Sequence, residues 1–392
     1  MLLILLQVLF WIAVLLILHS HVFFPVILEL LSKGKKQNNF VWLSDSTDLP
    51  HIDILLAVYN EEKVIEEKIR SVFQTNYPAD KIHFYIGSDA STDRTNELVQ
   101  QYQKQYPGIV FRLFSRTGKS EIINALYRES TSPVMILTDA NVFFNRDTLY
   151  QLVKHFREES IGLVGGNILN LKHKNSGISF QEKAYLQREN LIKYHEGILW
   201  GAMIGAFGGC YAVRRDLYKE VPRNFIVDDF YITMQVLRSK FKAINELDAI
   251  CFEDVSDQIS EEFRRKTRIS AGNFQNLFVF SDLLSPSYGG VAFSLISHKV
   301  LRWYTPFLMI FLLILNIILL KVHPIYELAI AGQIFLLLIV LMERLLKKVG
   351  WNIKLFRFIT HFYSMNLALL LGFINYFKGI KTSVWKPTER NQ

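Results

Sequence analysis

The chain has 392 residues, half of them apolar, and a mean hydropathy of +0.18. Soluble domains seldom reach that average, which argues against a wholly soluble chain and assigns part of the apolar content to lipid. The net charge of +8 sits beside apolar runs, pointing to an anionic membrane surface and a small anionic substrate rather than nucleic acid. Cys210 and Cys251 have no partners at metal-ligand spacing and form no disulfide framework, so they read as buried, reduced thiols.

Residues 2–18 read LLILLQVLFWIAVLLIL, and apolar character resumes from Val22 to Leu31 after His19, Ser20 and His21. The run lacks a basic start and a small-residue cleavage site and outlasts a signal peptide. A retained transmembrane helix over residues 1–32 is therefore expected. Lys33, Lys35 and Lys36 follow, and by the positive-inside rule they place the next segment in the cytoplasm.

Between residues 40 and 290 short apolar runs alternate with amphipathic stretches, which predicts an α/β domain over about 45–285. The runs at 52–58 (IDILLAV), 82–87 (IHFYIG), 110–114 (VFRLF), 134–138 (VMILT) and 161–166 (IGLVGG) are mostly continuous, as in parallel strands buried on both faces. The spacing predicts a helix after Asn60 as N-cap, with Glu61 and Glu62 in its first turn and Ile65, Ile69, Val72 and Phe73 as its apolar face. Strand–helix alternation implies right-handed crossovers and an open twisted sheet.

Ligands of such a sheet bind at the carboxyl ends of its strands. The first strand is followed by Tyr59, Asn60 and Glu61. The second is followed by Ser88, Asp89 and, beyond, Asp93; the third by Arg116, Gly118 and Lys119; the fourth by Asp139, Ala140 and Asn141. Asp93 reads as a helix cap, whereas Asp89 and Asp139 read as ligand contacts. A nucleotide sugar suits this rim. Departure of its diphosphate calls for a divalent cation or a basic side chain. Asp139 with Asn141 is suited to hold Mg2+ or Mn2+ through oxygen, Lys119 to reach a phosphate, and Asp89 to accept from a base or ribose.

Downstream, FIVDDFYITMQVLRSKF sets Asp228 and Asp229 at the start of a helical pattern marked by Ile232, Val236 and Leu237. An acceptor hydroxyl needs a general base, and Asp229 is expected to supply it, with Asp228 in support. The stretch 261–285 begins EEFRRKTRISAGNFQNLFVF. Arg264, Arg265, Lys266 and Arg268 alternate there with Phe263, Ile269, Phe274, Leu277 and Phe278, which reads as a basic amphipathic helix on a bilayer surface, as one arginine given to the pyrophosphate, or as both.

Residues 298–378 hold about three further membrane segments, at 304–320, 327–342 and 358–377, each close to the length that spans about 30 Å of hydrocarbon. Lys299 and Arg302 flank the first, and Arg344, Lys347, Lys348, Lys354 and Arg357 join the second and third. Three full crossings would place Lys378 and the basic tail of 379–392 (Lys381, Lys386, Arg390) outside. Either one segment is re-entrant or interfacial, or the tail departs from the rule.

In order, AVYNEE, GSDASTDRT, GKSEIINAL, LTDAN, GAFGGCYAVRR, VDD and RRKTR resemble the motifs of family 2 glycosyltransferases over residues 50–280. The nearest likeness is to the membrane-integrated branch of poly-N-acetylglucosamine, hyaluronan, chitin and cellulose synthases. The resemblance implies a Rossmann-like GT-A domain between N- and C-terminal transmembrane helices. It implies inverting transfer from a UDP-sugar, such as UDP-N-acetylglucosamine or UDP-glucose, to a glycan or lipid-linked acceptor for envelope polysaccharide. The setting would be the cytoplasmic membrane, with the catalytic domain in the cytoplasm and room for accessory export or regulatory subunits.

By the same resemblance Asn60 and Glu61 lie at the nucleotide sugar, and Asp89 falls where the family contacts uracil. Asp139 takes the place of the first metal-binding acid, Asp229 that of the catalytic base and Lys119 that of the Gly-Lys lysine. Arg268 matches the arginine of Gln-x-x-Arg-Trp, and Phe207, Gly208 and Gly209 the acceptor-side loop. The chain departs from the pattern at Asn141, at Val227–Asp228 in place of Thr-Glu, and at Arg265 and Ile269 in place of the Gln and Trp. Isoleucine cannot stack on an acceptor sugar as tryptophan does, so transfer of a single sugar stands beside processive synthesis. A rival from another class is a nucleotide-binding domain regulating a membrane pore. Against it, the spans carry few charges, with Glu29, Glu327 and Glu343 at or near their ends.

Overall fold

A computed structural model describes residues 1–38, 40–170, 179–253, 259–349, 351 and 353–380. Lys381, Lys386 and Arg390 of the basic tail lie outside the described residues. Two units are distinguished. One comprises Met1–Ile27, Ser260–Phe274 and Leu295–Gly379; the other is built mainly from Leu28–Ile259 and Gln275–Ser294.

The second unit is built on an eight-stranded sheet. Its strands are β1 (Ile52–Val58), β2 (Ile82–Asp89), β3 (Ile109–Phe114), β4 (Val134–Thr138), β5 (Val142–Phe144), β6 (Ile161–Asn170), β7 (Cys210–Arg214) and β8 (Lys242–Glu253). The order across the sheet is β3-β2-β1-β4-β7-β6-β8-β5. β1 pairs parallel with β2 and β4, and β2 with β3, so the first half is the expected doubly wound sheet. Every residue of β1 is buried, which is why its apolar run is unbroken. Ile65, Ile69 and Val72 of the helix Ile65–Phe73, and Leu98, Val99 and Tyr102 of the helix Thr95–Gln105, join the same core.

Two expectations are corrected here. The fifth run reads as one more parallel strand, and β6 is parallel to β8 as expected, but it lies antiparallel to β7 and extends to Asn170. β7 also runs antiparallel to β4, so the sheet is mixed, and β5, β7 and β8 went unread. A strand buried on both faces reads as a continuous apolar run whichever way its neighbour points. The second correction is Asn60, which does not cap a helix. Its backbone takes φ +54, a left-handed conformation that asparagine tolerates, and the helix starts only at Ile65.

What Asn60 does instead is tie two loops of the rim together. Its Oδ1 accepts from Thr92 N at 2.8 Å, and its own N–H donates to Ser91 Oγ at 3.1 Å. Glu61 N donates to Thr95 Oγ1 at 2.8 Å, Glu62 N to Asp93 Oδ2 at 3.1 Å, and Arg94 N returns to Glu62 Oε2 at 3.1 Å. Asp93 also accepts from Thr95 N at 3.0 Å, but the helix's N-cap is Arg94, so Asp93 stands one residue ahead of the capping position expected of it. At the other rim, buried Asp53 accepts from Thr131 N at 2.7 Å and from Ser132 N at 2.8 Å, a satisfied structural acid.

The first unit is helical. Among the described residues four helices are long and apolar enough to cross a membrane: Leu2–Ser32, Gly290–Leu319, Pro324–Leu346 and Lys354–Phe377. Phe10, Ala13, Leu312, Leu315, Leu319 and Tyr326 form a core among them. The first two each contain a π-helical stretch, His19–Phe23 and Leu295–Val300, and these are bridged by His19 Nε2 and Ser297 Oγ at 2.9 Å. Residues 260–274, expected at the margin of the catalytic domain, belong to this apolar unit. Ser270 Oγ donates to Leu369 O at 2.9 Å, and a Cβ at Gly372 would stand 2.3 Å from Ser270 Cβ. Phe274 meets Phe373 edge-on at 4.8 Å.

Candidate active site

Asp89 ends β2 and is fully buried. Its Oδ1 accepts from Thr117 N at 2.7 Å and from Gly118 N at 3.1 Å, and its Oδ2 pairs with the Arg116 guanidinium. Gly118 holds φ +94, which glycine alone adopts without strain, and that turn aims its N–H at Asp89. The oxygens of Asp89 are thus engaged by its own protein, and what it sets in place is Arg116. The guanidinium carbon of Arg116 lies 3.4 Å from the centroid of the Tyr59 ring, giving a flat cationic platform at the end of β1.

The next residue opens the helix Lys119–Glu129. Lys119 Nζ donates to Asp139 Oδ1 at 2.8 Å and lies 3.6 Å from Asp228 Oδ2. Burial works against its charge, yet Asp139 and Asp228, with Asp229 behind them, outweigh burial and hold the ammonium protonated. One cation therefore joins the end of β4 to the start of the helix that begins at Asp228, far downstream in the chain.

Asp139 is seated by its backbone, whose N–H donates to Gly209 O at 3.3 Å, while Thr138 Oγ1 donates to the same oxygen at 2.8 Å. Asn141 Nδ2 donates to Glu253 Oε1 at 3.3 Å, which leaves the amide oxygen as the atom it can offer a cation. Among the described residues no group of three His, Cys, Asp or Glu side chains is placed to hold a metal. The protein donors reduce to one carboxylate and one amide. Such a set fits a hard divalent ion that takes its other ligands from a diphosphate and water.

Asp228 and Asp229 begin the helix Asp228–Arg238. Asp229 Oδ1 accepts from Phe230 N at 2.7 Å, an amide of the helix's first turn. Burial pushes the Asp229 carboxyl up to about 6; neighbouring Asp228 adds to the rise and Lys119 opposes it. The expected acceptor-side loop packs against this acid. A Cβ at Gly208 would lie 2.8 Å from Asp229 Oδ2, and one at Gly209 2.8 Å from Val142 Cγ2. Lys193 Nζ stands 3.2 Å from the Phe207 ring centroid. Substituting Gly208→Ala should displace the Asp229 carboxylate and lower kcat by about 100-fold, a loss that a shift of roughly 1 Å in a reacting group can cause. Steady-state rates beside an unchanged donor KM would show it.

Of the residues singled out by sequence, Asp89, Lys119, Asp139, Asn141, Phe207, Gly208, Gly209, Asp228 and Asp229 neighbour one another along one rim, with Asn60 and Glu61 in the adjoining loop. Arg268 and Ile269 lie on the helix Ile259–Val279, in its portion belonging to the apolar unit, Arg268 exposed and Ile269 half-buried. Lys68, Lys193 and Glu253 were not foreseen. Each comes from a segment whose pattern signals only helix or strand, and nothing local marks it.

Residues 53–221 match the family described as Glycosyl transferase family 2. Asp228, Asp229 and Glu253 fall beyond the matched stretch. Relatives include a beta-monoglucosyldiacylglycerol synthase of Synechocystis sp., 26% identical over 161 residues, covering 39% of this chain and 34% of that one. A poly-beta-1,6-N-acetyl-D-glucosamine synthase of Staphylococcus epidermidis is 22% identical over 240 residues, covering 60% of this chain and 57% of that one. The chain thus spans little more than half the length of such relatives at most. Among solved structures, the mannosyltransferase PcManGT of Pyrobaculum calidifontis, in complex with GDP-Man and Mn2+, superposes with a TM-score of 0.67 at 20% identity, over 94% of this chain and 99% of that one. Residues 53–221 thus match the family 2 glycosyltransferases, and the sheet that carries them has the GT-A fold.

Proposed function

We propose that the protein transfers a sugar, with inversion, from a nucleoside-diphosphate sugar to a glycan or lipid-linked acceptor at a membrane, with a UDP-sugar as the first donor to test. One observation carries the reading: Lys119 reaches both Asp139 and Asp228, so the diphosphate-side acid and the acid pair at the helix start share a single cation. Arg116 over Tyr59 offers a platform to the nucleoside, and Lys119 offers its ammonium to the diphosphate oxygens. A bound Mg2+ or Mn2+, held by Asp139 and Asn141, would neutralise the departing diphosphate. Asp229 takes the proton of the acceptor hydroxyl as its oxygen bonds to the anomeric carbon. The bond from that carbon to the diphosphate breaks, and the nucleoside diphosphate leaves with the electron pair.

Membrane residence is supported by the four long apolar helices, and a cytoplasmic catalytic domain by Lys33, Lys35 and Lys36 after the first of them. The two relatives act on different acceptors by name, one making a glucosylated diacylglycerol and the other a polymer. A second reading, single-sugar transfer, is favoured by Ile269 at the position of the stacking tryptophan.

The test is nucleoside-diphosphate release by the full chain in detergent, with a panel of nucleotide sugars, Mn2+ and a lipid extract, followed by product length. Release from one donor, lost on chelation, is expected. No release from any donor would overturn the reading, and release untouched by chelation would remove the metal from it.

A further inference from the structure

Lys68 lies on the helix Ile65–Phe73, where its side chain is completely buried. A desolvated ammonium is costly to a fold unless its donors are engaged. Lys68 Nζ donates to Thr138 Oγ1 at 2.7 Å and to Val142 O at 2.5 Å, and it stands 3.7 Å from the Phe144 ring centroid. Its acceptors are the residues just before and just after Asp139–Ala140–Asn141. The turn between them is closed by Val142 N donating to Asp139 O at 3.2 Å. Thr138 Oγ1 hands its own proton to Gly209 O, so the chain of bonds runs from Lys68 through the β4 end to the loop beside Asp229.

The contacts themselves are neutral: a hydroxyl, a carbonyl and an aromatic face. Burial works against the Lys68 charge, while Cys210, Cys251 and Asp139 favour it; the carboxylate among these is Asp139, on the far side of the turn that Lys68 grips. Filling space would need only an apolar chain of similar length.

We propose that Lys68 is a positioning residue for the divalent-cation and diphosphate site, clamping the Thr138–Val142 turn from behind so that Asp139 and Asn141 present their oxygens to one ion. The proposal rests on the metal-dependent reading given above. Lys68 touches neither ion nor substrate. Support of this kind behind metal ligands is worth about 10- to 100-fold in metal affinity.

The experiment uses calorimetry on the full chain in detergent, with UDP and separately GDP as probes, with and without Mn2+. In the wild type, Mn2+ should strengthen binding of one probe, and Asp139→Asn should abolish that gain. Lys68→Met should keep the metal-free affinity within about twofold while the Mn2+-dependent gain falls about 10-fold or more. Thr138→Val, which removes the hydroxyl that Lys68 grips together with its bond to Gly209 O, should do the same more mildly, and it decides the matter if Lys68→Met does not fold. Retention of the full gain in either folded variant, with only the melting temperature changed, would overturn the clamp and leave the metal reading intact. Absence of any gain in the wild type would overturn both.

Discussion

Asp229→Asn is expected to lower turnover by about 10²- to 10⁴-fold, the usual worth of a general base, while nucleoside-diphosphate binding persists. The wild-type rate should carry an acid limb near pH 6, because burial lifts this carboxyl to about 6 from 3.8 and only the ionised form accepts the proton. The same shift acts on stability with a definite sign. Below pH 3.8 the acid is protonated in both folded and unfolded chains and costs nothing. The cost grows between 3.8 and 6 and is complete above 6. Asparagine removes it, so Asp229→Asn should be more stable to unfolding than the wild type at pH 7.5, by about 3 kcal/mol at most, with the advantage gone near pH 4. A flat kcat/KM profile between pH 5 and 8 would dismiss Asp229 as the base. A variant no more stable at pH 7.5 than at pH 4 would dismiss the strained carboxylate.

Lys119→Met leaves Asp139, Asp228 and Asp229 without the cation they share. Loss of a preorganised charge aimed at a developing anion costs about 10²- to 10³-fold, so kcat/KM should fall by that much. The more diagnostic effect is on pH. Lys119 pulls the Asp229 carboxyl down against burial and Asp228, so its removal should move the acid limb above 6. An unmoved limb beneath a lowered plateau would mean that Lys119 serves the diphosphate alone and does not tune the base. Raised Mn2+ should recover part of the rate if the ion and Lys119 neutralise the same oxygens.

Much of the parallel half of the sheet was legible residue by residue. IDILLAV and VMILT are continuous because β1 and β4 are covered on both faces, and the polar residues after them fall at the rim because strand ends are where the core stops. Asp228 and Asp229 could be placed at a helix start because the 3.6-residue pattern begins there. The mixed half was not legible. CYAVR and VFF are apolar runs with no mark of direction, and β8 looks like any other strand until β6 and β5 lie on either side of it.

For the site, residue types and order single out Asp139, Lys119 and Asp229 as rim positions, and the folded chain brings the three side chains close to one another. Only the tertiary structure decided that Asp89 spends its oxygens on Thr117, Gly118 and Arg116, that Asn60 ties two loops rather than capping a helix, and that Lys68 lies buried behind the Asp139 turn. It alone set the Asp229 carboxyl near 6. The reason is one of range. Periodicity records whether a segment faces core or water, which nearest neighbours along the chain share. Hydrogen-bond partners, desolvation and pKa depend on segments tens to hundreds of residues away, and those meet only when the chain is folded.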